Sequence, residues 1–157
     1  MRKIIISCLL LLLSVVSFSA NSQTLQPALQ PLFFQPLTLL PGKLQKLDLP
    51  TAIQDVEDYV GILITGDRDL GLEIFQKSTK KTASNREAIN LRVLLYTDRG
   101  RMLAMKPKTP DPYAISDRAI FLSEVRVGKK ESIRKIGLIS AKPVTLLKIE
   151  WFEQFSE

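Results

Sequence analysis

Val60, Ile62 and Ile64 stand at every second position of one short stretch, and the same spacing returns at Ile89, Leu91, Val93 and Leu95. Side chains at alternate positions share one face of an extended strand, so each stretch reads as a strand with one buried side. A strand cannot satisfy its own N–H and C=O groups, and these stretches must therefore pair. After the first, Gly66-Asp67-Arg68-Asp69 supplies turn residues, and Leu70, Leu72 and Ile74 predict a return strand. After the second, Asp98-Arg99-Gly100 predicts a hairpin turn, with Met102 to Lys106 coming back.

The flanking sequence extends this pattern. Pro41-Gly42 suits the central positions of a type II turn, which predicts a hairpin of Leu37 to Leu40 against Leu44 to Leu49. Thr51 to Asp58 predicts a short helical turn capped by Thr51. The C-terminal third predicts a meander, with Ala119, Phe121, Val125 and Val127 on one face and a turn at Gly128-Lys129-Lys130. Ile133 to Ser140 and Val144 to Phe152 follow, and Leu147, Ile149 and Trp151 share a face of the last strand. Lys77 to Glu87 is a polar loop, and Pro107, Pro110 and Pro112 exclude regular structure from Lys106 to Asp117. The expected fold is all-β, an antiparallel β-sandwich or jelly-roll-like barrel of about eight or nine short strands, in one domain over 37–157.

The N-terminus has a different character. Met1-Arg2-Lys3 is a positive start, and Ile4 to Phe18 is apolar apart from serines and Cys8. Ser19 to Gln23 is small and polar, so 1–22 reads as a cleaved signal peptide. Its apolar stretch is shorter than the roughly 20 residues a membrane-spanning helix needs, so no membrane span is expected in the mature chain. Ala20 and Ser22 suit the positions before the cut; Ser17 and Ser19 suit them as well. The expected location is exported, periplasmic or extracellular. Residues 23–36 hold Pro27, Pro31 and Pro36 and read as an extended leader. Within it, Leu32-Phe33-Phe34 is apolar enough to pack as an edge strand or against a partner.

Cleavage after Ser22 takes away Cys8, the only cysteine, and the chain has no histidine. Disulfides, thiolate nucleophiles, Ser-His-Asp triads and histidine-containing metal sites are thereby excluded from the mature part. Without Arg2 and Lys3, 20 basic and 16 acidic residues remain, a net charge of +4. Between Asp48 and Phe75 there are seven acids and one base; between Lys77 and Lys108 there are nine bases and two acids. A second basic stretch, Arg126 to Lys148, holds seven bases against Glu131. Placed on different faces, these stretches make a dipole that steers toward anionic partners; placed on adjacent strands, they cancel. No aromatic residues are interleaved with the bases as stacking platforms, so nucleic acid is not an expected partner.

The expectation for function is a non-catalytic exported envelope protein, a binding or assembly factor contacting a protein partner or an anionic surface polymer. The candidate binding residues are Lys80, Lys81, Lys106 and Lys108 among the bases, Asp111, Tyr113 and Asp117 in the proline-rich loop, and Phe33 and Phe34 in the leader. No catalytic residue, cofactor or metal is expected. Asp67, Asp69 and Glu73 have the oxygen chemistry of a calcium site, but the stretch lacks the D-x-D-x-D-G loop and Asp is an ordinary turn residue. The alternative is a sugar-binding module or carboxylate-dependent hydrolase, with Tyr113 as platform and acids drawn from Asp111, Asp117 or Glu124.

Overall fold

The computed structural model describes residues 28–33, 35–68, 70, 89–108 and 117–155. Among the described residues nine strands run in chain order: β1 (Gln30–Phe33), β2 (Leu37–Leu39), β3 (Gln45–Ile53), β4 (Tyr59–Gly66), β5 (Arg92–Thr97), β6 (Met102–Pro107), β7 (Arg118–Ser123), β8 (Ile133–Ile139) and β9 (Val144–Gln154). They form one antiparallel sheet in the order β1-β9-β4-β7-β6-β5-β8-β3, with β2 also on β9. The sheet curls until it nearly closes into a barrel, bringing its end strands β1 and β3 together at a seam. The all-β, antiparallel expectation holds. Among the described residues, no helix is long and apolar enough to cross a membrane.

The two alternating stretches do what their spacing requires. Directly opposed residues of an antiparallel pair share a face. Ile62 lies opposite both Phe121 and Trp151, and Ile64 opposite Ala119 and Ile149. Across the interior, Leu95 lies opposite Leu103 and Ile136, and Val93 opposite Leu138. Val60, Ile62, Ile64, Ile89, Leu95 and Phe121 are wholly buried. Each such side chain stabilises the fold by roughly 1.5–3 kcal/mol. On the outer face of the same wall, the tip of the Phe152 ring lies over Gly61, where a Cβ would come within 2.3 Å of it. Any side chain at position 61 displaces that ring.

Strand pairing departs from the sequence reading at four places. Pro41-Gly42 forms the expected turn, with Gly42 at φ +67° and Lys43 N–H donating to the Leu40 carbonyl at 3.3 Å. Yet it joins no hairpin: β2 pairs with β9 and β3 with β8, so the turn is a corner at the top of the seam. Both edges of β4 are taken, by β7 and β9, which leaves no place beside it for a return strand from Leu70. Leu70 itself is helical and buried, while Leu72 and Ile74 lie outside the described residues. The C-terminal strands are no meander, because β7, β8 and β9 pair with β4 and β6, with β3 and β5, and with β1, β2 and β4. Finally, Thr51 to Ile53 completes β3 in place of the expected helical turn, and Leu147 and Val125 are exposed instead of facing inward. Alternation sets which face of a strand is apolar and carries no information on which strand lies next to it.

Candidate functional site

Among the described residues, the barrel wall is interrupted between β5 and β6. These strands pair only at Leu94 with Ala104, Leu95 with Leu103 and Tyr96 with Met102. From Met105 onward β6 turns to β7, pairing Met105 with Ser123, Lys106 with Leu122 and Pro107 with Phe121. Strand β5 stays on β8, where Arg92 lies opposite Ile139 and Val93 opposite Leu138. The two strands therefore diverge from an apex at Leu94 and Ala104, enclosing a cleft of about 340 Å³ lined by Asn90, Leu91, Arg92, Val93, Met105 and Pro107 with the apex pair. Asn90, at φ +47°, re-aims the chain just before β5. Leu91, Val93 and Met105 are buried and form the apolar floor.

The rim of this fork is cationic, and strand geometry dictates where the charges stand. Positions two apart share a face and lie about 7 Å apart along a strand. Arg92 precedes the apex residue Leu94 by two, and Lys106 follows the apex residue Ala104 by two, with Lys108 two further on. All three are exposed. Lys106 makes an ion pair with Glu124. Among the described residues no carboxylate stands within ion-pair distance of Arg92 or Lys108. Lys108 is tied down through its backbone, whose N–H donates to the Ile120 carbonyl at 2.7 Å.

A second groove, of about 360 Å³, runs along the seam and is lined by Leu32, Phe33, Gln35, Asp48 and Pro50. Here the edge strand β3 carries Pro50, which has no N–H to offer, and the exposed Lys46, both of which discourage a further strand. Lys46 reaches over the Tyr96 ring, 3.8 Å from its centroid, and that ring in turn lies against Gly137.

The end of the barrel where β4 begins and β9 finishes is closed, with Val56 and Val127 buried across it. Its charges are matched. Arg101 pairs with the buried Glu131 at 2.6 Å and donates to the Arg126 carbonyl at 3.3 Å. Arg126 pairs with Asp58 at 3.2 Å, and Lys129 with Glu57 at 3.7 Å. The Tyr59 hydroxyl beside Arg126, and then Asp58, raise the guanidinium further above its usual range, and the guanidinium stands 5.2 Å from the centre of the Tyr59 ring. Glu153 accepts from the backbone N–H groups of Glu57 and Asp58. Ser132 donates both its backbone N–H and its hydroxyl to Asp98, which holds that carboxyl below the usual carboxylate range. With Asp48 on Lys135 at 3.1 Å, the acidic stretch and the second basic stretch largely cancel across strands. In the first basic stretch Arg101 and Lys106 are paired as well, while Arg92 and Lys108 meet no carboxylate among the described residues.

The residues expected to bind fall in different places. Lys106 and Lys108 stand on the fork. Phe33 is half-buried in β1 and lines the seam. Asp117 is exposed just before β7, and its carbonyl accepts from the Gly66 N–H at 2.8 Å. Lys80, Lys81, Asp111, Tyr113 and Phe34 lie outside the described residues. Asp117 and Glu124 bracket β7 end to end, which separates them by about 20 Å, more than twice the widest spacing of a glycosidase carboxylate pair. Of the acids considered for calcium, Asp67 is in an ion pair with Arg68 at 3.1 Å, and Asp69 and Glu73 lie outside the described residues. Among the described residues no group of three or more acidic, cysteine or histidine side chains is placed to hold a metal ion.

Arg92 is the fork residue that the sequence reading passed over. Its signal was an outward charge between Leu91 and Val93 in an otherwise apolar strand. The chain matches no protein-family model and no curated protein.

Proposed function

We propose that this chain is a non-catalytic exported envelope protein that binds an anionic partner through the fork between β5 and β6. The observation that carries this reading is an apolar cleft whose rim holds Arg92, Lys106 and Lys108, two of them without a carboxylate partner among the described residues. Among the described residues the carboxylates are scattered along the strands and many are ion-paired away from the fork, which supports binding over catalysis. Export is supported by the pattern of residues 1–22, which lies outside the described residues.

Fluorescence anisotropy of labelled polyglutamate and labelled dextran sulfate with the purified protein tests the reading. Binding is expected at 50 mM salt and should weaken strongly at 500 mM, because released counterions and screening both act on an exposed cationic rim. Absence of binding to either polyanion at low salt would overturn it.

A further inference from the structure

Resting on the anionic-partner reading, we infer that the fork takes an extended acidic peptide, which adds as a strand to the free side of β5. Three observations lead from a general anion to this class of ligand.

The first is the backbone. Antiparallel pairing uses both sides of a strand, successive residues turning their N–H and C=O groups to opposite sides. Between Leu91 and Val93, β8 answers one side, while β6 has already left for β7, and no other described strand pairs there. A strand edge whose N–H and C=O groups face outward is a template for an incoming strand, which supplies partners in register. On the other arm Pro107 has no N–H, so β5 is the receptive edge.

The second is the floor. Leu91, Val93 and Met105 are buried beneath a cleft whose volume, about 340 Å³, is at the small end of ligand sites. A sugar polymer presents hydroxyls to such a floor; a strand presents apolar side chains at every second position. The third is charge. The alternate side chains of the same strand point outward, where Arg92 stands on one arm and Lys106 and Lys108 on the other. Acidic residues alternating with apolar ones satisfy both faces at once. The seam fails this comparison, since its free edge carries Pro50 and Lys46 and its groove includes Asp48.

The test uses a labelled peptide of alternating Glu and Val, a composition-matched peptide with the Glu and Val in separate blocks, and two versions of the first N-methylated at odd or at even positions. The alternating peptide should bind at least tenfold more tightly than the block peptide, and one or both N-methylated versions should lose tenfold or more. Arg92→Glu with Lys108→Glu should abolish binding while leaving circular dichroism and the melting temperature unchanged; Arg92→Gln with Lys108→Gln should weaken it less. Full retention by both N-methylated peptides, or equal binding of the block peptide, would overturn strand addition even if polyanions bind. Equal affinity for dextran sulfate with the same dependence on Arg92 and Lys108 would assign the fork to an anionic polymer. Failure of every anionic probe would instead remove the functional reading on which the inference rests.

Discussion

The fork and the closed end of the barrel are both rich in charge, and they use it in opposite ways. At the closed end each named cation has a carboxylate or carbonyl within reach: Arg101 on Glu131, Arg126 on Asp58, Lys129 on Glu57. At the fork Arg92 and Lys108 face solvent over an apolar cleft. A paired charge buried at a chain crossing fixes the segments it joins, whereas an exposed cation on the rim of a cleft contributes little to folding and a great deal to encounter. The same residue types therefore predict different losses when changed in the two regions.

The largest loss of stability should come from Arg101→Ala. It leaves the Glu131 carboxylate, whose side chain is only 4 % exposed, without its cation. Breaking a fully buried pair costs about 3–5 kcal/mol; since the Arg101 side chain is 41 % exposed, about 2–3 kcal/mol is expected in urea unfolding. A change below about 0.5 kcal/mol, the range of ordinary surface substitutions, would erase the distinction between the regions. By contrast, Arg92→Glu with Lys108→Glu should stay within about 0.5 kcal/mol of the parent protein while binding of acidic probes falls tenfold or more.

A subtler contrast comes from pH. Ser132 depresses the Asp98 carboxyl through two hydrogen bonds, so its contribution is fully present above the unfolded-state value of about 4 and is lost as pH falls through the lower folded value. The stability difference between the parent and Asp98→Ala should thus be largest near neutrality and shrink below about pH 4. A constant difference across that range would show that the carboxylate charge is not what Ser132 holds. The smallest effect belongs to Lys106→Ala. Its pair with Glu124 is exposed on both sides, so unfolding should change by less than about 1 kcal/mol, with a modest decrease in the salt dependence of probe binding.

Much of the barrel was legible in the sequence, and the illegible part has a clear physical source. The inward faces of β4 and β5 follow directly from Val60, Ile62 and Ile64 and from Ile89 to Leu95, because burial writes itself into alternation. The hairpin at Asp98 to Gly100 was readable as well, since its partner lies within a turn's reach; Thr97 N–H donates to the Arg101 carbonyl, and Arg101 N–H to the Thr97 hydroxyl. Pairings between strands distant in sequence left no such mark. Gly42 takes its turn conformation whether the flanking strands meet or part, so a corner read as a hairpin. For the candidate site, Lys106 and Lys108 were visible as bases near a proline-rich stretch, but Arg92 joins them only because β6 changes neighbours after Ala104. Gly61 and Gly137 in apolar strands were the readable hints of close approach, by Phe152 and Tyr96 respectively.

Backbone amide hydrogen exchange of the protein, with and without the alternating Glu–Val peptide, tests the fork most directly. Protection should rise at Leu91 to Val93, with little change at Gln45 to Asp48 on the seam edge or at Ser132 and Arg101 in the closed end. Protection that appears on the seam strand, or nowhere in β5 despite saturating peptide, would contradict the assignment of the fork as the binding site.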